Sequence, residues 1–160
     1  MAGMRVDREF LREAIRLSIE KMQAGEGGPF GALVVRGGQV VGRGWNQVTS
    51  TNDPTAHAEI VAIRAACGAL GTFQLSGCTL YTSCEPCPMC LAAIYWARIE
   101  RIVFAAGRQD AADAGFDDGL LYDEVTRVPA ERSVPAEQCL RDEALAAFHA
   151  WRLKGDRIEY

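Results

Sequence analysis

Residues 5–25 show an amphipathic pattern in which apolar side chains recur every three or four positions, with Arg and Glu between them. This spacing places the apolar side chains on one face of an α-helix, so the segment is predicted to be helical. The apolar stripe consists of Leu11, Ile15, Ile19 and Met22. The glycines of residues 25–28, followed by Pro29, predict the end of this helix.

Two runs rich in Val, Leu and aromatic residues follow, at 30–36 and 39–45. They are separated only by Gly37 and Gly38, which is a tight-turn signal. The pattern therefore predicts an antiparallel β-hairpin. Residues 46–52 are polar and are predicted to form a loop.

The middle of the chain alternates helical and strand patterns. A helix is predicted after the lead-in of residues 53–55, with a buried stripe formed by Ile60, Ile63, Cys67 and Leu70. A strand at 78–82, a helix from residue 86 or 87 to about 97, and a strand at 99–106 follow. Such alternation is typical of a sheet that carries helices on its faces.

The last third of the chain is less regular. Residues 107–136 are rich in Asp, Gly and Pro and are predicted to form a loop with short helical pieces. A final amphipathic helix is indicated by Leu140, Ala144, Leu145, Phe148 and Trp151. The polar tail of residues 154–160 ends on Tyr160.

Composition narrows the class of protein. A chain of 160 residues, 49% hydrophobic and 24% charged, fits one globular domain with its own core. No apolar run approaches the ~20 residues of a membrane span, so no membrane partner is expected. The first nine residues lack the apolar core of a signal peptide, so the cytoplasm is the expected location. A net charge of −4 argues against a nucleic acid as the main partner.

The candidate chemistry lies in two segments. Three of the six cysteines fall within residues 84–90, a density that favours metal binding over disulfides in a chain without an export signal. Cys87 and Cys90 lie three apart at the predicted start of a helix, where both thiols face one way and the helix dipole favours thiolates. His57 and Glu59 lie at the start of another helix. We therefore predict two helix N-termini that meet over one ion, with His57, Cys87 and Cys90 as ligands.

Other types of site fit this pattern less well. An iron–sulfur site would need a fourth cysteine where Ile94 stands. A closed structural zinc site would need a second pair of ligands, and Cys67, Cys78 and Cys139 are isolated. A redox dithiol would not require His57 and Glu59. Spacing alone leaves the pair Cys84 and Cys87 open as ligands, although the Pro-Cys-x-x-Cys register favours the later pair.

His-x-Glu together with Pro-Cys-x-x-Cys is the signature of zinc deaminases. Three protein ligands leave one position of a tetrahedral zinc ion open for water, whose pKa the metal lowers to about 7. Glu59 is then expected to take the proton that this water loses as hydroxide forms, to deliver it to a ring nitrogen, and to help protonate the leaving amine. One zinc ion per subunit is the predicted cofactor.

Residues 5–106 resemble the cytidine-deaminase-like superfamily, and within it residues 52–60 and 84–90 are similar to the purine-acting branch. This resemblance implies a three-layer α/β/α fold with a mixed sheet of about five strands and helices on both faces. Two families compete in this branch, bacterial guanine deaminases and tRNA adenosine deaminases. The choice depends on the sequence after the zinc-binding motif.

The segments 81–87, 93–98 and 110–118 look like bacterial guanine deaminases, as do residues 148–151 and the final Glu-Tyr. A Lys-Thr-Gly-Ala-type segment that is usual in the tRNA enzymes is missing. The resemblance then covers nearly the whole chain and implies hydrolytic deamination of guanine to xanthine and ammonia, a step of purine catabolism. It also implies one domain over residues 1–160 and a homodimer in which 137–160 is swapped onto the partner subunit.

The same resemblance assigns roles to individual residues. It implies that Glu59 and Glu143 are catalytic, with substrate binding as the alternative role of Glu143. It also implies that five residues bind the substrate: Phe30, Asn46, Ala58, Asp118 and Tyr160. Independent chemistry agrees in part, because guanine has N–H donors that suit a carboxylate acceptor, the Asn amide both donates and accepts, and a Phe ring stacks on a base. Two other readings stay open, a tRNA adenosine deaminase and a zinc-stabilised binding module without catalysis.

Overall fold

The computed structural model describes residues 2–160, and their side chains from residue 5 onward. The strands are β1 (Gly31–Arg36), β2 (Gln39–Trp45), β3 (Cys78–Cys84) and β4 (Arg101–Ala106). The α-helices are α1 (Ala2–Gln23), α2 (Val48–Thr51), α3 (Ala58–Leu70), α4 (Pro88–Trp96), α5 (Arg108–Asp113), α6 (Gly119–Thr126) and α7 (Arg141–Leu153). A single 3₁₀ turn, Pro129–Glu131, is described between α6 and α7.

The strands form one mixed sheet in the order β2-β1-β3-β4. The predicted hairpin is confirmed, since β1 pairs antiparallel with β2, and β1 also pairs antiparallel with β3. The last two strands are parallel, with α4 as the crossover between them. The sheet has four strands in the described part of the chain, where about five were expected, because the residues after β4 continue as short helices.

Helices cover the two faces of this sheet, which confirms the predicted three-layer architecture within the first 118 residues. Leu33 and Tyr81 point to one face, where they pack around Ala14 of α1. Val34 and Leu80 point to the opposite face, against the helices α3 and α4. Alternation of side chains along each strand thus supplies two separate apolar layers from one sheet.

The predicted amphipathic helix is confirmed, but among its stripe residues only Leu11 packs, partly buried, against the core. Within one chain Ile15, Ile19 and Met22 are exposed, whereas Ala14 and Ser18 are buried. Small side chains are required there because α1 lies very close to β1: a Cβ atom on Gly31 would be 2.4 Å from the Ala14 carbonyl oxygen.

Helix α3 follows the same principle. Its most buried side chains are Ala58, Ala62 and Ala66, while most of the predicted stripe, Ile63, Cys67 and Leu70, packs only partly buried around them. The helix begins at Ala58, so residues 53–55 form the turn that leads into it, as predicted. In that turn the Asp53 carboxylate accepts hydrogen bonds from the backbone N–H and the hydroxyl of Thr55.

The chain divides into two compact units, one up to Asp118 and one from Gly119 to Tyr160. The second unit contains α6, the 3₁₀ turn and α7, and none of its residues is buried. The division does not test whether residues 1–160 form one domain, and the exchange of 137–160 stays a prediction. None of the described helices combines the length and apolar character that crossing a membrane requires.

Candidate metal centre

Two helix N-termini carry the predicted ligands, as the sequence indicated. His57 is the residue immediately before α3 and Cys87 is the residue immediately before α4, and both have extended backbones. Pro88 opens α4, a position that suits proline because the first helical N–H has no partner within the helix. Cys90 then lies within the first turn of α4 and is fully buried.

The three side chains are close enough to hold one metal ion. One ligand atom from each of His57, Cys87 and Cys90 lies within 4.8 Å of the others. The Nδ1 atom of His57 is 3.6 Å from the Cys87 sulfur and 3.5 Å from the Cys90 sulfur. Around a tetrahedral zinc ion with ordinary bond lengths, a nitrogen and a sulfur are separated by about 3.5 Å. The donor set and its spacing therefore fit zinc.

The electrostatics of the cluster favour a thiolate. The hydrogen bond with Cys90, reinforced by His57, lowers the pKa of Cys87 to about 4 despite partial burial. The pKa of His57 is raised, chiefly by its hydrogen bond with Cys87. An ionised sulfur is the form that binds a metal ion.

Glu59 lies beside this cluster and is buried, with 6% of its surface exposed. Its Oε2 atom is 3.5 Å from the Cys90 sulfur, and its Oε1 atom is 3.4 Å from the hydroxyl oxygen of Thr82. Burial raises the pKa of this carboxyl group. A carboxyl group whose pKa lies above its ordinary value, next to a metal site, is suited to carrying protons.

Cys84 takes another role. Its thiol points to the carbonyl oxygen of Gly107, at 3.7 Å, and it is outside the group of three ligands. Among the described residues the candidate ligands are thus the later cysteine pair, as the Pro-Cys-x-x-Cys register favoured. Cys67 and Cys78 belong to the apolar core around α3.

Asn46 has a fixed amide orientation. Its Oδ1 atom accepts hydrogen bonds from the backbone N–H groups of Gly28 and Val48, at 3.2 and 3.3 Å. Two backbone donors identify that atom as the oxygen, so the amide nitrogen is the part that can donate to a ligand. The Gly27 turn approaches so closely that a Cβ atom there would overlap the Asn46 carbonyl oxygen.

Phe30 and Ala58 lie in the same unit as the metal cluster. The Phe30 ring is half-buried and packs edge to face on Phe116, with ring centroids 5.0 Å apart. Ala58 is fully buried and is the first residue of α3, next to the ligand His57. Because the first N–H groups of a helix have no partner within it, the backbone N–H of Ala58 makes no hydrogen bond inside α3.

Asp118 ends the first unit and is half-buried. Its pKa is raised, first by burial and next by the negative charge of Cys87, while Arg108 opposes the shift. The influence of Cys87 means that Asp118 lies within electrostatic reach of the metal cluster.

The two remaining predicted residues belong to the second unit. Glu143 lies in the first turn of α7, and Tyr160 is 72% exposed in one chain. Their roles stay predictions.

The sequence argument missed Thr82. Alternation along β3 could have identified it, because Leu80 and Thr82 share the face that packs against α3.

Comparisons with known proteins agree with this geometry. The family described as "Cytidine and deoxycytidylate deaminase zinc-binding region" matches residues 4–106. The chain is 52% identical over 151 residues to guanine deaminase of Bacillus subtilis, covering 94% of this chain and 97% of that protein. It is also 37% identical over 138 residues to the tRNA-specific adenosine deaminase of the same organism, covering 85% of each.

Solved structures give the same ranking. The X-ray structure of Bacillus subtilis guanine deaminase superposes with a TM-score of 0.93, covering 96% of this chain and 98% of that one. A structure from work on tRNA:A34 deaminases superposes with a TM-score of 0.60 at 43% identity, and covers 62% of this chain and 76% of that one.

Proposed function

Since the chain belongs to the cytidine and deoxycytidylate deaminase family, we propose that it is a zinc-dependent hydrolase that converts guanine and water to xanthine and ammonia. The observation that carries this proposal is the meeting of His57, Cys87 and Cys90 beside the buried carboxylate of Glu59. Similarity to a guanine deaminase over nearly the full length of both chains supports the choice of substrate.

The zinc ion, when bound, lowers the pKa of a water molecule to about 7 and so supplies a nucleophile near neutral pH. Glu59 takes the proton that this water loses and delivers it to a ring nitrogen of the purine as C2 is attacked. It then helps to protonate the amino group, which leaves as ammonia. Burial suits Glu59 to both tasks, because it raises the pKa of the carboxyl group, which then accepts a proton more readily than an ordinary glutamate does.

Substrate recognition uses groups around this centre. Asn46 donates its amide N–H to an acceptor of the purine, since its oxygen is held by the backbone. Asp118 accepts from the N–H donors that distinguish guanine from adenine. Phe30 stacks on the ring, and the Ala58 N–H donates to the ligand at the mouth of α3.

We also propose a homodimer in which residues 137–160 of one chain cover the active site of the other. The support is physical: the second unit buries no residue in one chain, and Phe148, Leu153, Ile158 and Tyr160 are each more than half exposed. Apolar surface on that scale is typical of segments that pack against another chain. In this arrangement Tyr160 closes the partner's site, and Glu143 is in reach of its substrate. Purine catabolism and the cytoplasmic location belong to the same proposal.

The direct test is ammonia release from free guanine by zinc-loaded protein, run beside a tRNA substrate. We expect turnover of guanine and none of tRNA, and activity confined to tRNA would make the chain a tRNA adenosine deaminase. The substitution Glu59→Gln is the matched control, expected to keep zinc and to lose turnover. A wild-type protein that binds zinc but deaminates neither substrate would instead be a zinc-stabilised binding module.

A further inference from the structure

Thr82 is a buried polar residue next to the reacting carboxylate, and neither zinc binding nor substrate recognition uses it. Only 1% of its surface is exposed, and it lies on β3, on the face that packs against α3. Burying a hydroxyl group without a partner costs free energy. The partner here is the Oε1 atom of Glu59, at 3.4 Å.

The two oxygens of the Glu59 carboxylate have different surroundings. Oε1 faces the strand and accepts from the Thr82 hydroxyl, whereas Oε2 faces the metal ligands, 3.5 Å from the Cys90 sulfur. The terminal torsion of a glutamate side chain is broad and roughly two-fold, so burial alone does not fix its angle. A donor on one oxygen keeps the other directed to the metal centre.

The separation of 3.4 Å is longer than an ordinary O–H···O hydrogen bond. Hydrogen bonds of catalytic groups are often long before substrate binds, and they shorten in the complex. Thr82 is held in place by the sheet, since its backbone pairs with Ala32 on one side and with Phe104 on the other. The shortening is therefore expected to come from the Glu59 side chain.

We propose that Thr82 is a positioning residue for Glu59. Its hydroxyl group holds the carboxylate in the orientation that transfers the proton, without touching the purine or the metal ion. This inference rests on the proposed function, because it assigns Glu59 the proton transfer.

The test compares Thr82→Val, which removes the hydroxyl group and keeps the shape, with Thr82→Ser, which keeps the hydroxyl group. Substitution of a residue that orients a metal ligand typically lowers activity by about 10- to 100-fold, and we take the same range for a residue that orients the carboxylate beside the metal centre. We expect Thr82→Val to lower kcat for guanine by about tenfold or more, with KM within about twofold and zinc content unchanged. Thr82→Ser is expected to retain at least about a third of the wild-type kcat, since its hydroxyl can make the same hydrogen bond.

Thr79→Val is the matched control. Thr79 lies on the same strand but on the opposite face, the one shared with Tyr81, so its substitution should leave kcat unchanged. The proposal is overturned if Thr82→Val keeps the wild-type kcat, or if only its KM changes. Where Thr82→Val loses zinc or fails to fold, Thr82→Ser decides: an active serine variant supports the proposal, and an inactive one overturns it. Failure of the wild-type protein to deaminate guanine would instead refute the proposed function, separately from Thr82.

Discussion

Gly44 of β2 lies in direct contact with the carbonyl oxygen of Ala58, the first residue of α3. A Cβ atom added to Gly44 would be 2.1 Å from that oxygen and 2.4 Å from the backbone nitrogen of Ala62. Both neighbours are backbone atoms, so they cannot move away by changing a rotamer. The absence of a side chain at Gly44 therefore sets the distance between the sheet and the helix end that carries His57 and Glu59.

We predict that Gly44→Ala displaces the start of α3 and lowers zinc content and deaminase activity together. The cost in unfolding free energy is expected to be about 1–3 kcal/mol, the range for overpacking a tight contact. Gly68→Ala, within α3, is the control, since a Cβ atom added to Gly68 would have nothing within 4 Å. That change should stabilise the protein by about 0.5–1 kcal/mol, because alanine is the better helix former. Zinc analysis and urea denaturation of both variants check this, and a zinc-replete, fully stable Gly44→Ala protein would contradict it.

Periodicity predicted the hairpin, the helix and strand order up to β4, and α7, because each of those elements has a clear apolar repeat. It did not predict which face of α1 is buried. The apolar side chains of Ile15 and Ile19 mark one face, but the close approach at Gly31 selects the face with Ala14. The short helices α2, α5 and α6 lie in segments for which the sequence predicts loops or short helical pieces, since they are too short to show a repeat.

The metal site was more predictable than the groups around it. Ligand type and spacing restrict the candidates to His57 and a pair of neighbouring cysteines, because few side chains bind a soft metal ion, and the Pro-Cys-x-x-Cys register favours Cys87 and Cys90. For Thr82, alternation along β3 indicates only the face of the sheet on which it lies and no chemical role, since a threonine in a strand is an ordinary residue there. Its contact with Glu59 depends on two segments that are distant in sequence, and only the packing of α3 on the sheet brings them together.

A second cluster, Asp7 with Arg101 and Tyr81, joins α1 to the sheet. The Asp7 carboxylate accepts two hydrogen bonds from the Arg101 guanidinium, at 2.8 and 2.7 Å, and one from the Tyr81 hydroxyl, at 2.6 Å. The Arg101 bond, helped by Tyr81, lowers the pKa of Asp7 to about 2. Burial, followed by the bond to Asp7, raises the pKa of Tyr81 to about 12.

We predict that Asp7→Asn lowers the unfolding free energy at pH 7 by about 1 kcal/mol, a modest value because Arg101 is partly exposed to solvent. Because the pKa of Asp7 is lowered from 3.8 to about 2, its carboxylate stabilises the fold at pH values above 3.8. This contribution disappears as the pH falls through about 2. A raised Tyr81 pKa stabilises the fold below its ordinary value of 10, and this is lost as the pH rises through about 12. The difference in unfolding free energy between wild type and Asp7→Asn should thus be largest between pH 3.8 and pH 10.

Urea denaturation of both proteins at several pH values measures this difference. Glu9→Gln is the control on the same helix, because the exposed Glu9–Arg5 pair should contribute nothing measurable. If the difference in unfolding free energy between wild type and Asp7→Asn grew as the pH fell below 3, the lowered pKa of Asp7 would not be its cause.

Asp118 is predicted to bind the N–H donors of guanine. Asp118→Asn replaces one acceptor oxygen by a donor, which leaves a substrate N–H without a partner, so KM for guanine should rise by about tenfold or more. Zinc content should not change, since Asp118 is outside the group of three ligands. Steady-state kinetics on Asp118→Asn and on Asp117→Asn, its exposed neighbour, provide the comparison. Equal KM values for the two variants would remove Asp118 from substrate recognition.

The exchange of the C-terminal segment can be tested by mixing two inactive chains. One chain carries Glu59→Gln with an intact tail, and the other keeps Glu59 but lacks Tyr160. If the tail acts on the partner, a hybrid dimer has one complete site, in which the second chain supplies Glu59 and the first supplies Tyr160. Random pairing of equal amounts then restores about a quarter of the wild-type activity.

A tail that acts on its own chain predicts the opposite outcome, because no site in the hybrid would hold both residues. The mixture would then show only the mean activity of the two separate variants. Refolding the chains together, with each variant refolded alone as the control, allows the subunits to exchange before ammonia release is measured. Sedimentation of the same samples shows whether dimers form. An inactive mixture of dimers would assign Tyr160 to the active site of its own chain, whereas an inactive mixture of monomers would refute the dimer itself.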